Sequence, residues 1–357
     1  MTIAEYACCN KKNDRWPSPW QGMKIFMKMK NTLLLVLFIT AMTCAFSQEI
    51  IKTRLTGKYL GQPEPGLKPE LFAPGIVSTG MSELNSVFSP DGSEFYFCVR
   101  ISQISSLFRM QMRSAVWSKP ELLPFASRYG DVDVSLSPDG NKLFFCSKRP
   151  TNHPDSVKND HDIWMSSREG SSWSKPVNLG PAVNSDREDF YPTSAKNGNL
   201  YFNSQREKEG TNYIYVSRFM NGAFTAAEKL SPEINIGSWN FDAFIDPDER
   251  FLIFSSNAKG CYGGSDLYIS FRKNDGSWTP AENLGSQINS SGWELCPAIT
   301  RDGKYLFFTG TGSSSQTPPE QPMNYSQYYE AYIKPGNGWT DIYWVSSKII
   351  EEFNPKE

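Results

Sequence analysis

Histidine is almost missing from this chain: His153 and His161 are the two among 357 residues. Most zinc sites draw on histidine or cysteine, and so few histidines weaken a zinc reading. Cysteine is sparse too. Of seven, Cys8, Cys9 and Cys44 fall in the first 47 residues, leaving Cys98, Cys146, Cys261 and Cys296. A chain of this length buries enough surface to do without disulfides, so four buried thiols are expected, with a Cys261–Cys296 pair left open. A basic excess is also absent, which argues against nucleic acid. There is no Gly-x-Ser-x-Gly elbow and no room for a hydrolase domain, so a peptidase relative is set aside. One apolar run exists, from Leu33 to Ile39 and weakly on to Phe46. It is too short to span a bilayer comfortably, and no second run predicts a membrane span.

That run has the layout of a secretory signal. Lys24, Lys28 and Lys30 precede it, and Ala45-Phe46-Ser47 puts small residues at the positions a signal peptidase reads. Cleavage is expected before Gln48. Met23, Met27 and Met29 each suit such a signal better as a start than Met1 does. A lipid anchor on Cys44 is the alternative, which Met42 and Thr43 fit poorly. Without residues 1–47 the chain carries 30 basic and 36 acidic residues, a net charge near −6. The expected location is the periplasm or the cell surface.

What is abundant is aromatic and turn-forming. Phe, Trp and Tyr make up 14% of the chain, beside 26 Gly and 24 Pro. That mixture predicts short strands joined by tight turns. One turn repeats. Ser89-Pro90-Asp91-Gly92 recurs as Ser137-Pro138-Asp139-Gly140, then in weaker copies beginning at Ala195, Asp246 and Thr300. Pro presets the first turn angle, Asp bonds its own backbone, and Gly supplies the positive φ. Glu249 takes the glycine's place in the fourth copy, so that turn is expected to be built differently or strained.

Each turn leads into an apolar strand with Phe97, Phe145, Phe202, Phe254 or Phe308 in one column. A second strand carries Phe108, Trp164, Tyr215, Tyr268, and Tyr343 or Trp344. A third opens with Trp117, Trp173, Phe224 or Trp278, followed six residues on by Leu123, Leu179, Leu230 or Leu284. A fourth returns to the next turn. Four antiparallel strands in about 50 residues make a propeller blade, which buries its faces only by stacking on its neighbours. The fold class is therefore all-β, a single propeller of five blades, with six as the alternative. The last turn is followed by two strands only. Lys68-Pro69 with Phe72 repeats Lys119-Pro120 with Leu123, so an N-terminal strand is expected to complete the C-terminal blade and close the ring. The expected organisation is an upstream segment and signal over 1–47, a leader over 48–65, the propeller over 66–350 and a tail over 351–357.

The turns Ser89–Gly92 and Ser137–Gly140, with the closing Asp341-Ile342-Tyr343-Trp344-Val345-Ser346, resemble the WD-like, Pro-Asp type of repeat of the TolB-like propeller family of bacterial envelopes. The resemblance covers residues 66–350. It implies an envelope protein that binds other proteins, and it carries over no catalytic residue.

Six residues before each turn stand Glu83, Asp131, Asp189, Asn240 and Glu294. Two roles are open to them. On the axis they would form an acidic ring for a cation or a polyhydroxylated ligand. Turned inward they would accept backbone N–H groups of the loops between blades. Trp239 and Trp293 break the repeat beside Asn240 and Glu294, and an exposed Trp there would serve as a platform for a sugar or peptide. Long insertions, Arg149–His161 and Gly310–Thr340, emerge on the same face.

The reading placed first is a non-enzymatic binding or scaffold module, monomeric, for a protein partner or an oligosaccharide. The alternative is a glycoside-cleaving enzyme with axial carboxylates. No cofactor is expected, apart from calcium or another cation on the axis.

Overall fold

The computed structural model describes residues 55–102, 104–151, 158–312 and 321–354. The expected signal peptide, Cys44, the first part of the leader (48–54) and His153 lie outside the described residues.

Five antiparallel sheets make five blades. Their innermost strands are Ser82–Phe88, Val132–Leu136, Asp189–Ser194, Asn240–Ile245 and Glu294–Ile299. Each touches the inner strands of both neighbours, so the five close a ring around a central channel. The second strand of each blade follows the repeated turn, the third carries the aromatic column, and the outermost is short.

The turns follow the expected chemistry. Gly92 donates its N–H to the Ser89 carbonyl at 2.8 Å with φ at 71°, and Ser89 donates its hydroxyl to Asp91 at 2.6 Å. The fourth copy closes the same way, with Glu249 N–H on the Asp246 carbonyl at 2.8 Å. Glu249 adopts the left-handed φ of 56° that glycine takes elsewhere. That costs roughly 1–2 kcal/mol for a residue with a Cβ. Asn199, Tyr201 and Arg272 donate to its carboxylate at 2.8, 2.8 and 3.1 Å and hold it there.

The aromatic columns pair in register. Phe97 stands opposite Phe108, Phe145 opposite Trp164, Phe202 opposite Tyr215 and Phe254 opposite Tyr268. In the last blade Phe308 faces Tyr343, which makes Tyr343 rather than Trp344 the repeat position. The Trp column joins blades: Trp173 donates its indole N–H to the hydroxyl of Tyr96 in the preceding blade, 3.2 Å away.

One expectation is corrected. The strand opening with Trp117 or Trp173 does not run on to the leucine. It breaks into two short pairings, Ser172–Trp173 and Val177–Asn178 in the second blade. Lys119-Pro120 and Lys175-Pro176 sit at the break, where a proline has no N–H for the ladder. The leucine then anchors the outer edge: Leu123, Leu179, Leu230 and Leu284 bond the carbonyls of Leu107, Ile163, Ile214 and Leu267.

Phe72 makes the same bond to Ile342, at 2.8 Å. Glu70–Leu71 pairs with Asp341–Ser346, and the N-terminal strand closes the ring as the repeat predicts. Residues 55–61 add a second clasp. Trp117 N–H bonds the Leu55 carbonyl at 2.9 Å, and the Tyr59 hydroxyl bonds Asp302 at 2.8 Å. Among the described residues no helix is long and apolar enough to cross a membrane.

Candidate functional site

The channel has a turn face, where the hairpins lie, and a loop face, where the inner strands begin. Glu83, Asp131, Asp189, Asn240 and Glu294 all sit on the loop face and are all buried. Of the two roles open to them, their hydrogen bonds are those of the second. Glu83 accepts the N–H and hydroxyl of Thr79, at 3.1 and 2.5 Å. Asp131 accepts the same two groups of Ser127, at 2.7 and 2.9 Å, and Asp189 those of Ser185, at 2.6 and 2.9 Å. Glu294 accepts the Ser290 hydroxyl at 2.6 Å, and Asn240 accepts the Gly237 N–H at 3.0 Å. Each staples the loop ahead of its own strand. The signal was present in the repeat: a Ser or Thr stands four residues before each acid, and Ile236 stands before Asn240.

The staples differ electrostatically. Asp131 and Asp189 receive the guanidinium groups of Arg149 and Arg206, at 2.8 and 2.9 Å. Glu83 and Glu294 have no such cation among the described residues. Burial pushes both up to about 7 despite the hydrogen bonds that oppose it.

The side chains that do face the axis stand two residues further along. Asn85, Asp133, Tyr191, Asp242 and Cys296 occupy one column and all take φ between 50° and 57°. The ladder of every inner strand slips there, a bulge that turns this residue toward the axis. Side chains of the preceding blade hold four of the five backbone N–H groups. Asn85 N–H bonds Thr309 at 2.9 Å, Tyr191 N–H bonds Asp133 at 3.2 Å, Asp242 N–H bonds Asn203 at 3.1 Å, and Cys296 N–H bonds Asp242 at 3.1 Å.

Tyr191 crosses the lumen and donates its hydroxyl to the Pro297 carbonyl at 2.8 Å. Below it, toward the turn face, a cavity of about 40 Å³ remains, room for about one water. On the loop side Asp133 and Asp242 are part-exposed in an otherwise enclosed setting. Burial raises both carboxyls, and the charge of Asp242 raises Asp133 further; Arg100 and His161 act in the opposite direction on Asp133. His161 packs on Phe190 with the rings tilted at 43° and 4.7 Å between their centres, and its Nδ1 lies 2.7 Å from Glu188. This column was missed because it lies two residues from the repeated acids. Its blade-to-blade variety was the available signal.

Trp239 and Trp293 hold equivalent places on the rim. Their N–H groups bond Asn257 and Thr311, at 3.1 and 3.0 Å. Trp239 is part-buried, whereas Trp293 is 48% exposed. The Trp293 ring packs against Gly264, where a Cβ would come within 2.3 Å of the indole. Tyr262, two residues before Gly264 in the chain, is also exposed. The second insertion contains a helix, Tyr325–Tyr332, started by a reciprocal cap between Asn324 and Gln327. It buries no residue, and Tyr325, Tyr328, Tyr329, Tyr332 and Trp339 are all exposed.

The four cysteines are free thiols. Cys261 donates to the Ser256 and Ala258 carbonyls at 3.2 and 2.9 Å, and Cys296 to Asp242 at 3.2 Å, so those two do not pair. Among the described residues no group of three or more His, Cys, Asp or Glu side chains is placed to hold a metal ion.

The fold and site thus define a five-bladed propeller with a plugged channel and an aromatic rim on its loop face. No protein-family profile and no curated protein matches the sequence. Among solved structures the chain is similar to TolB from Acinetobacter baumannii, at 12% identity and a TM-score of 0.43, covering 75% of this chain and 57% of that one. It is similar to an alpha-L-arabinofuranosidase from Lactobacillus brevis, at 11% identity and 0.46, covering 76% and 91%. The alpha-L-arabinofuranosidase of Podospora anserina gives 9% identity and 0.41, covering 79% and 94%. The strand pairing above, not these likenesses, establishes the architecture, and architecture alone assigns no ligand.

Proposed function

We propose that this chain works outside the cytoplasm as a non-enzymatic propeller module that binds an oligosaccharide on its loop face. The observation that supports the reading is Trp293. A large indole is left half in solvent and packed against Gly264, in the loop that also carries exposed Tyr262. Such a rigid apolar face on a loop matches the C–H face of a sugar ring and loses little side-chain entropy on binding. Asp133 and Asp242, deeper on the same side, offer acceptors for sugar hydroxyls. The acids of the rim are already committed to their loops.

The test is a thermal-shift screen with plant and cell-wall oligosaccharides and short peptides, repeated with Trp293→Ala. A sugar-dependent rise in Tm, lost in the variant, is the expected result. No shift with any sugar would overturn the reading, and cross-linking in the envelope would then seek a protein partner.

A second reading is favoured by one observation. Two carboxyls from different blades, both raised above the ordinary range, share the loop side of the channel. Glycoside cleavage needs two carboxyl groups flanking the bond. Release of reducing sugar, abolished in both Asp133→Asn and Asp242→Asn, would replace the binding reading with this one.

A further inference from the structure

At the turn face the channel opens into a pocket of about 870 Å³. Pro138, Lys196, Pro247 and Arg301 line it, the second turn residue of four successive blades. Three of the five turns carry proline there, Pro90 included. Arg301 is the exception nearest the axis, for it also lines the narrow cavity below Tyr191 and stands where channel and pocket meet.

Arg301 is part-buried and makes no hydrogen bond or ion pair among the described residues. The two carboxylates whose charge favours it, Asp246 and Asp139, are each bonded to other donors. Asp246 is held by both arms of Arg250, at 2.9 and 2.7 Å. Asp139 accepts from Ser137 and from both N–H donors of Asn141. Of the other cations of the pocket, Lys196 pairs with Asp248 at 2.8 Å and Arg272 with Glu249 at 3.1 Å, while exposed Lys273 has no ion pair among the described residues. Exposed Glu351 is the one acid of the lining without an ion pair among the described residues. Burial lowers the guanidinium's affinity for its proton, the mark of a cation short of solvent. A buried charge without a partner is costly, and a guanidinium gives up its water more readily than an ammonium while presenting a planar fork to an oxyanion.

We propose that Arg301 anchors an anion site at the turn-face outlet of the channel, one that takes a small ligand through a carboxylate or phosphate group. The site is separate from the loop-face rim and stands whether or not the oligosaccharide reading holds. Its volume is that of a small-molecule pocket rather than a lone ion's cradle.

Isothermal titration of the purified protein with inorganic phosphate, and separately with citrate, at constant ionic strength tests this. The expected result is one saturable site for at least one of the two. Phosphate alone would identify a phosphate-bearing ligand, and citrate alone a carboxylate. Arg301→Gln should weaken binding about ten- to hundredfold, as loss of a charge-assisted pair does. Arg301→Lys, which keeps the charge but not the fork, should fall between, and Trp293→Ala on the opposite face should change nothing. If Arg301→Gln does not fold, Arg301→Lys carries the test, and unchanged affinity there overturns the proposal. So would equal binding by the wild type and Arg301→Gln, or no saturable binding of either anion by the wild type.

Discussion

Tyr191 in the third blade donates its hydroxyl across the channel to the Pro297 carbonyl of the fifth, 2.8 Å away. Both groups are shielded from water, so the bond is a plug as well as a strut. Tyr191→Phe leaves a buried carbonyl short of a donor and should cost about 1–3 kcal/mol. Tyr191→Ala also leaves a cavity and should cost about 3–5 kcal/mol. Urea denaturation measures both. Equal losses in the two variants would mean that the ring fills no space that matters.

Glu83 and Glu294 make stability depend on pH in an unusual direction. Their folded pKa values, about 7 each, lie above the value of about 4.3 for an unfolded glutamate. Between those limits the folded state binds more protons than the unfolded one. Stability therefore falls as pH rises from about 4.5 to about 7, and levels above it. The carboxyls held below their ordinary range, such as Asp91 and Asp302, act at lower pH and do not cancel this. Glu83→Gln with Glu294→Gln keeps an acceptor for Thr79 and Ser290. It should make the fall shallower without abolishing it, because the carboxyls of Asp133, Asp242 and Asp341 are raised as well. Denaturation at pH 5 and pH 8 decides it, and a wild type no less stable at pH 8 would refute the assignment.

Arg149 gives the contrasting case. Its guanidinium donates to buried Asp131 at 2.8 Å and to the Phe125 carbonyl at 3.3 Å, and lies over Phe145 and Trp164. Arg149→Gln strands a buried carboxylate and should cost about 3–5 kcal/mol. Adding Asp131→Asn removes the stranded charge, so the pair should lose much less than the two single losses combined. Additive losses in the double-mutant cycle would show that the two side chains act separately.

The ring, its blade number and its closure were legible because packing repeats them. A Phe against an aromatic recurs in every blade, and a shared pattern reports a shared contact. The acid column was legible as a column but not as a set of staples, since that required noticing Ser127, Ser185 and Ser290 four residues earlier. The axial residues were harder. Alternation along a strand puts positions two apart on one face, but the bulge at Asn85 and its counterparts breaks that rule. Glu83 is buried in its loop while Asn85 turns to the axis, and no periodicity announces it. The Tyr325–Tyr332 helix was not read from the sequence although Tyr325, Tyr328, Tyr329 and Tyr332 recur at helical spacing, and that stripe buries no residue. The turn at Glu249 looked like a defect because the three side chains that hold it come from distant positions.

The closure makes the last prediction. Phe72 is fully buried and meets the rings of Phe88, Phe95, Phe307 and Trp344, so it sits where the first and fifth blades join. Phe72→Ala should cost about 3–5 kcal/mol, most of it from the cavity. Tyr59→Phe, which removes the bond to Asp302 from a more open clasp, should cost about 1 kcal/mol. Truncation through Leu71 goes further, because it bares the outer edge of Asp341–Ser346. An unpaired edge recruits other chains, so the truncated protein should aggregate at concentrations where the whole one stays dispersed. Light scattering beside the denaturation curves separates lost packing from a bared edge. A truncated protein that stays dispersed and unfolds at the wild-type midpoint would show that the ring holds without its clasp.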